Sequence, residues 1–160
     1  YWGGEPRSVA FNVHGFRVAV NMSTGEVRIL QSVHAADAGV VMNPHQCRGQ
    51  VEGGVAQAIG AALYERIIVD EETGRPVTDI LRQYKAPNFA DIPRTEVHFA
   101  DTHDAVGPQG AKSMSESPFN PVAPALANAI RHATGVHFTT TPLTRDAIYA
   151  GLAEAGVLQR

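Results

Sequence analysis

The chain holds a single cysteine, Cys47, among its 160 residues. One cysteine excludes an internal disulfide framework, and it excludes an iron–sulfur cluster ligated by cysteines of this chain alone. It fits a reducing compartment, so a cytoplasmic setting is expected. Basic runs are also missing. Thirteen Lys and Arg against 16 Asp and Glu give a net charge of -3 with no clustered patch. That excludes the electrostatic footprint of nucleic-acid or anionic-membrane binding. No apolar stretch approaches the roughly 18–20 residues that span a bilayer. The first residues, YWGGEPRSVAFNVHG, lack a charged segment followed by an apolar core, so no signal peptide is expected there. They also lack a Met, and a piece of a longer protein is the expectation. What remains is ordinary globular material: 44% hydrophobic and 18% charged residues, enough for one domain with a core.

Residues 9–20, VAFNVHGFRVAV, and 27–35, VRILQSVHA, are β-branched and aromatic with partial alternation. Between them NMSTGE offers Gly25 for a positive φ, which predicts a β-hairpin. Residues 36–46, ADAGVVMNPHQ, read as a loop broken at Gly39 and Asn43-Pro44. From Gly49 to Glu65, Val51, Val55, Ile59 and Leu63 recur every four residues and predict a helix. Gly53, Gly54 and Gly60 weaken it by about 1 kcal/mol each relative to Ala, so it depends on tight packing. RIIVD (66–70) reads as a short strand closed by the turn EETG (71–74). Residues 75–95 carry Pro76, Pro87 and Pro93 and read as an extended connection. EVHFA (96–100) is a strand, and residues 101–119 form a loop long enough to suggest function. A helix follows over 121–133, capped by Asn120 and stopped by Gly135. VHFTT (136–140) reads as a last strand and residues 144–156 as a last amphipathic helix with Ile148, Leu152 and Ala155. Without a strict βαβ alternation, the fold class is α+β: hairpins and sheet with packed helices in a single domain over 1–160.

The run GAKSMSESPFNPVAPALANAI (110–130) sets one carboxylate, Glu116, behind small or polar residues and ahead of Pro118, Pro121 and Pro124. Such a stretch cannot make a regular strand. It can press closely on something flat and then enter a helix. A glutamate held there is a candidate general base facing a bound cofactor; the alternative is a solvated loop residue. Seven histidines (His14, His34, His45, His98, His103, His132 and His137) show no ligand pair at helical spacing. His98 and His103 could gather with Asp101 and Asp104, but surface or hydrogen-bonded histidines are the plainer reading, and no protein metal ligand is assigned. Asp101 and Asp104 most simply keep their loop wet. Ser113, Ser115 and Ser117 beside Lys112 invite a serine nucleophile with a lysine base, yet no G-x-S-x-G elbow is present. Glu52 reads as structural.

GQVEGG (49–54) followed by GAKSMSE (110–116) resembles the carboxy-terminal part of the molybdenum-binding large subunit of the xanthine dehydrogenase/aldehyde oxidase family of molybdenum hydroxylases. The likeness runs in order through TGEVRIL, DAGVVMNP, GQVEGG, YKAPNFADIP, the GAK…E loop and ATGV…PLT. It implies that the chain is a fragment of a molybdopterin-binding domain. Glu116 then matches the base beside the molybdenum, Gln50 a hydrogen-bonding partner of the pterin, and Lys112, Ser113, Met114 and Ser115 the loop that wraps the cofactor. Where the family more often has Gly-X-Gly-Glu, this chain has Ser113, Met114, Ser115 and Glu116, which changes the pocket's fine shape and bears on substrate.

The implied activity is oxidation of an aldehyde or N-heterocycle, a purine among them, with water as the oxygen source. The implied cofactor is molybdopterin, as its cytosine dinucleotide, with Mo. The 2Fe-2S clusters and FAD that carry electrons away would lie on other domains or subunits of an oligomeric enzyme. A rival reading is a folded module without activity of its own, serving only in cofactor binding or subunit assembly.

Overall fold

The computed structural model describes residues 8–159. The reading of the amino end over residues 1–7 lies outside the described residues. Strands β1 (Asn12–Val20) and β2 (Val27–Ala36) form the expected antiparallel hairpin. Its register runs from Asn12↔Ala36 to Val20↔Val27, with a bulge between Arg17 and Val18. The turn closes through Gly25 N–H on Asn21 O at 2.8 Å. Gly25 has φ 72, and a Cβ there would overlap the backbone of Arg145 and Tyr149. Both conformation and packing therefore demand glycine. Strand β3 (Thr95–Phe99) then adds to β2 in parallel, Ser32↔Thr95 through Ala36↔Phe99, giving a sheet of order β1-β2-β3.

Three helices complete the α+β fold: α1 (Pro44–Leu63), α2 (Val122–Thr134) and α3 (Arg145–Glu154). Helix α2 lies on β1 and also touches α1, while α1 reaches β3. The expected face of α1 supplies Val51, Val55 and Ile59 to the core, where they meet Val122, Leu126 and Ile130 of α2. Burial of each such side chain contributes about 1.5–3 kcal/mol. Among the described residues no helix is long and apolar enough to cross a membrane.

A polar seam runs under the sheet. His14 and His34 face each other across the β1–β2 ladder with their Nδ1 atoms 2.9 Å apart. His34 Nε2 donates to Asn12 Oδ1 at 3.1 Å, so its Nδ1 is the acceptor and His14 Nδ1–H the donor. His14 Nε2 then accepts from Ser32 Oγ at 3.1 Å, and Ser32 Oγ from Thr95 Oγ1 at 2.8 Å. With both imidazoles neutral, as their burial favours, each hydrogen bond fixes the next.

Four details depart from the sequence reading. Helix α1 starts at Pro44, not Gly49, because Asn43 caps it by accepting from Gln46 N–H at 3.1 Å and proline suits the first helical turn. RIIVD is not a strand: it makes one isolated bridge, Val69↔Pro76, although the turn after it forms, with Gly74 N–H on Asp70 O at 2.9 Å. VHFTT has no strand pairing either; Phe138 packs its ring on Gly151 of α3. Asn120 does not cap α2. A 3-10 turn at Ser117–Phe119 leads through it into a helix whose cap position is Pro121. Gly135 does stop α2, at φ 76 with its N–H on Arg131 O.

Candidate functional site

The long loop returns to the end of β2 before it reaches Glu116. Val40 N–H donates to Gly110 O at 2.9 Å and Lys112 N–H to Ala38 O at 2.8 Å, around a Gly39↔Ala111 bridge. The Lys112 ammonium turns inward. It meets Asp37 Oδ2 at 2.7 Å and Val9 O at 2.9 Å. Asp37 Oδ1 accepts from Thr102 Oγ1 at 2.5 Å and from Gly39 N–H at 3.2 Å. Burial pushes the Asp37 carboxyl up, but the bonds from Lys112, Thr102 and Gly39 outweigh it and hold it at about 2. Asp37 and Thr102 were not singled out from sequence. The Asp-x-Gly spacing of an Asx turn was the available signal for Asp37; Thr102 had none.

Beyond Lys112 the loop alternates. Ser113 is exposed, Met114 enters the core, and Ser115 and Glu116 are exposed again. Ser115 adopts φ 32, a region that disfavours a side chain. Its hydroxyl donates to Glu116 Oε2, which leaves Oε1 open. Ser117 N–H and Oγ both bond Met114 O, at 2.8 and 2.5 Å, and Phe119 N–H bonds Glu116 O at 2.9 Å. Gln50 on α1 donates from Nε2 to Ser115 O at 2.6 Å. The structure thus brings Gln50 to the Glu116 loop. Gly54 makes the approach possible, since a Cβ there would already lie 3.3 Å from Pro118 Cβ.

Gln46, Gly49, Gln50, Gly53 and Gln57 form an exposed stripe on α1 next to Ser115. A Cβ at Gly49 or Gly53 would meet nothing within 4 Å. Amide, hydroxyl and carboxylate groups therefore border a strip of bare helix backbone. Such a surface fits a large, flat, polar group. Lys112 contributes to it by position only, because its ammonium is spent on Asp37 and Val9.

The remaining candidates fall away from this face. Among the described residues no group of three His, Cys, Asp or Glu side chains could hold a metal. His103 packs on Gly110. Asp104 does not wet its loop: it is buried, accepting from Ser8 Oγ and, at 3.0 Å, from Val106 N–H. Glu52 pairs with Arg48 at 2.9 Å along α1, as a structural role requires. With its ammonium held by Asp37, Lys112 does not serve Ser113, Ser115 or Ser117 as a base.

Fold and face together define an α+β module with a polar, glycine-lined helix face beside the Glu116 loop. Residues 2–93 match the profile of the molybdopterin cofactor-binding domain, and the chain belongs to that family. It is 35% identical over 149 residues to the xanthine dehydrogenase molybdenum-binding subunit of Escherichia coli O157:H7, covering 93% of this chain and 20% of that one. To the aldehyde oxidoreductase molybdenum-binding subunit PaoC of Escherichia coli K12 it is 37% identical over 143 residues, 89% of this chain and 20% of the other. The solved structure of the aldehyde oxidoreductase from Desulfovibrio gigas superposes with TM-score 0.80 at 29% identity, over 90% of this chain and 15% of that one. The chain thus spans about a fifth of the length of the two Escherichia coli subunits. The resemblance read from the sequence is borne out at the level of family.

Proposed function

We propose that the chain supplies one face of the molybdopterin site in a xanthine dehydrogenase/aldehyde oxidoreductase-type enzyme, with Glu116 as general base. The observation that carries this reading is the hydrogen bond from Gln50 to Ser115 O, which sets the Glu116 loop beside the bare stripe of α1. When bound, the molybdenum cofactor supplies the redox chemistry and Lewis acidity, while the protein positions and deprotonates.

In this reading Gln50 keeps its amide oxygen for a donor on the pterin, and Gly49 and Gly53 let the group approach the helix. Ser113 and Ser115 add hydroxyls, and Met114 anchors the loop from the core side. Ser115 occupies Oε2 of Glu116, so Oε1 is the atom that takes the proton. The substrate is an aldehyde or an N-heterocycle such as a purine, with water as oxygen source. The cofactor is the cytosine dinucleotide form of molybdopterin. The 2Fe-2S and FAD centres belong to partner domains or subunits in a cytoplasmic oligomer.

The test is Glu116→Gln in the intact protein purified with its native partners. The expected result is unchanged molybdenum content with substrate-dependent dye reduction lowered by at least about a hundredfold. A wild-type protein that binds no molybdenum under conditions that load a related enzyme would leave only the rival reading, a folded module without activity. The isolated chain is expected to lack turnover, because Glu116 is open to water on a surface without an enclosing wall; tight stoichiometric pterin binding to it in equilibrium dialysis would contradict that.

A further inference from the structure

Among the described residues, the Asp37–Lys112 pair differs from the other ion pair, Arg48–Glu52. The Arg48–Glu52 bridge has side chains about two-fifths exposed, at 40% and 42%, whereas Lys112 and Asp37 are 13% and 9% exposed. A half-exposed pair adds little, but one buried partner without the other is costly. The pair also sits at a junction. Asp37 directly follows the last residue of β2, and Lys112 precedes Glu116 by four positions of loop. Thr102 Oγ1 and Gly39 N–H complete the bonding of the carboxylate and Val9 O that of the ammonium, so the carboxylate is held from its own turn and from both limbs of the long loop. Downstream the segment has two further attachments, Gln50 on Ser115 O and Met114 in the core. The Lys112 ammonium is thus one of three side-chain anchors on the segment that holds Ser115 at φ 32.

We infer that Asp37 and Lys112 are a positioning pair: a buried ionic clamp that fixes residues 114–117 and so aims the Glu116 carboxylate, with Lys112 acting through Asp37 and not by touching the cofactor. The inference rests on the reading of Glu116 as base. Misplacement of a reacting group by about 1 Å can cost on the order of a hundredfold in rate, so a clamp that begins at Lys112, on the same loop as Glu116, has a measurable effect.

The experiment compares Lys112→Met, Lys112→Arg and Thr102→Val in the intact protein, using hydrogen exchange of the amides of Ser117 and Phe119 together with kcat and KM. Lys112→Met is expected to speed exchange at both amides by about tenfold or more and to lower kcat by about ten- to a hundredfold, with KM within about twofold. Lys112→Arg restores the charge and is expected to recover most of both. Thr102→Val keeps the ion pair and gives a smaller change of the same sign, which serves if Lys112→Met fails to fold. Exchange unchanged in these variants overturns the clamp, as does looser exchange with unchanged kcat. Glu116→Gln is run alongside: if it turns over at the wild-type rate, the reading of Glu116 falls, and exchange alone still decides whether the clamp holds the loop.

Discussion

Gln50 and Ser115 are 65 positions apart in sequence and joined by one hydrogen bond, from Gln50 Nε2 to Ser115 O at 2.6 Å. Both residues are exposed. An exposed bond of this kind contributes about 0.5–1.5 kcal/mol to stability. Gln50→Leu is therefore expected to move the unfolding midpoint only slightly while molybdenum content per protein falls clearly. Metal analysis beside a thermal melt separates the two effects. Equal molybdenum loading in both forms would remove Gln50 from the cofactor face.

Gly53 offers a sharper discrimination. A Cβ there meets nothing within 4 Å, and alanine in a helix interior is favoured over glycine by about 1 kcal/mol. Gly53→Ala should raise the stability of the apoprotein by that amount in urea titration. If the stripe carries the cofactor, the same variant should load less molybdenum. A variant that is stabler and loads normally would show that the stripe is merely solvent-facing.

Ser115 carries a side chain at φ 32 next to Glu116. A positive φ costs a residue with a side chain about 1–2 kcal/mol, and a β-branched one is the least suited to it. Ser115→Val is expected to destabilise by that amount, and Ser115→Gly to be tolerated. Denaturant midpoints test the pair. Comparable values for the two variants would mean that the loop relaxes away from the positive φ.

The histidine seam gives the fold a pH dependence. Burial, and then the neighbouring His34, lower His14 from 6.5 to about 4, and burial lowers His34 as well. Both imidazoles take up protons more readily in the unfolded chain. Stability is therefore complete above pH 6.5 and is lost as the pH falls towards about 4. Asp37 acts lower: its folded value of about 2 against 3.8 means that its contribution is present above pH 3.8 and disappears as the pH falls to about 2. Urea midpoints measured through this range should fall in two stages, and a flat midpoint from neutrality to pH 4 would contradict the neutral-histidine assignment.

The elements with local signals were the ones legible in the sequence. The hairpin needed only alternation and Gly25, and the end of α2 needed only Gly135. RIIVD and VHFTT had the composition of strands, but a strand also needs a partner, and β-propensity is mostly a statement about neighbours. Asn43-Pro44 was read as a breaker although the same dipeptide is a helix start, with Asn at the cap and Pro in the first turn. The candidate roles of Glu116 and Gln50 came from two segments, GQVEGG and GAKSMSE, taken together through the family resemblance, and they stand as proposals. The inward turn of Lys112 could not, because Asp37 lies 75 positions away and nothing near Lys112 announces it.

The parallel pairing of β3 with β2 has a consequence for the order of events in folding. The hairpin closes over a six-residue turn (residues 21–26) and needs only local contacts, whereas β3 joins β2 from 58 residues further along the chain, with α1 laid down in between. Closing so long a loop costs entropy before any contact returns it. The Glu116 segment follows β3 and leans on α1, β2 and the far limb of its own loop. It is thus expected to acquire structure late, and a slow phase of refolding should report on the candidate site while the hairpin is already formed.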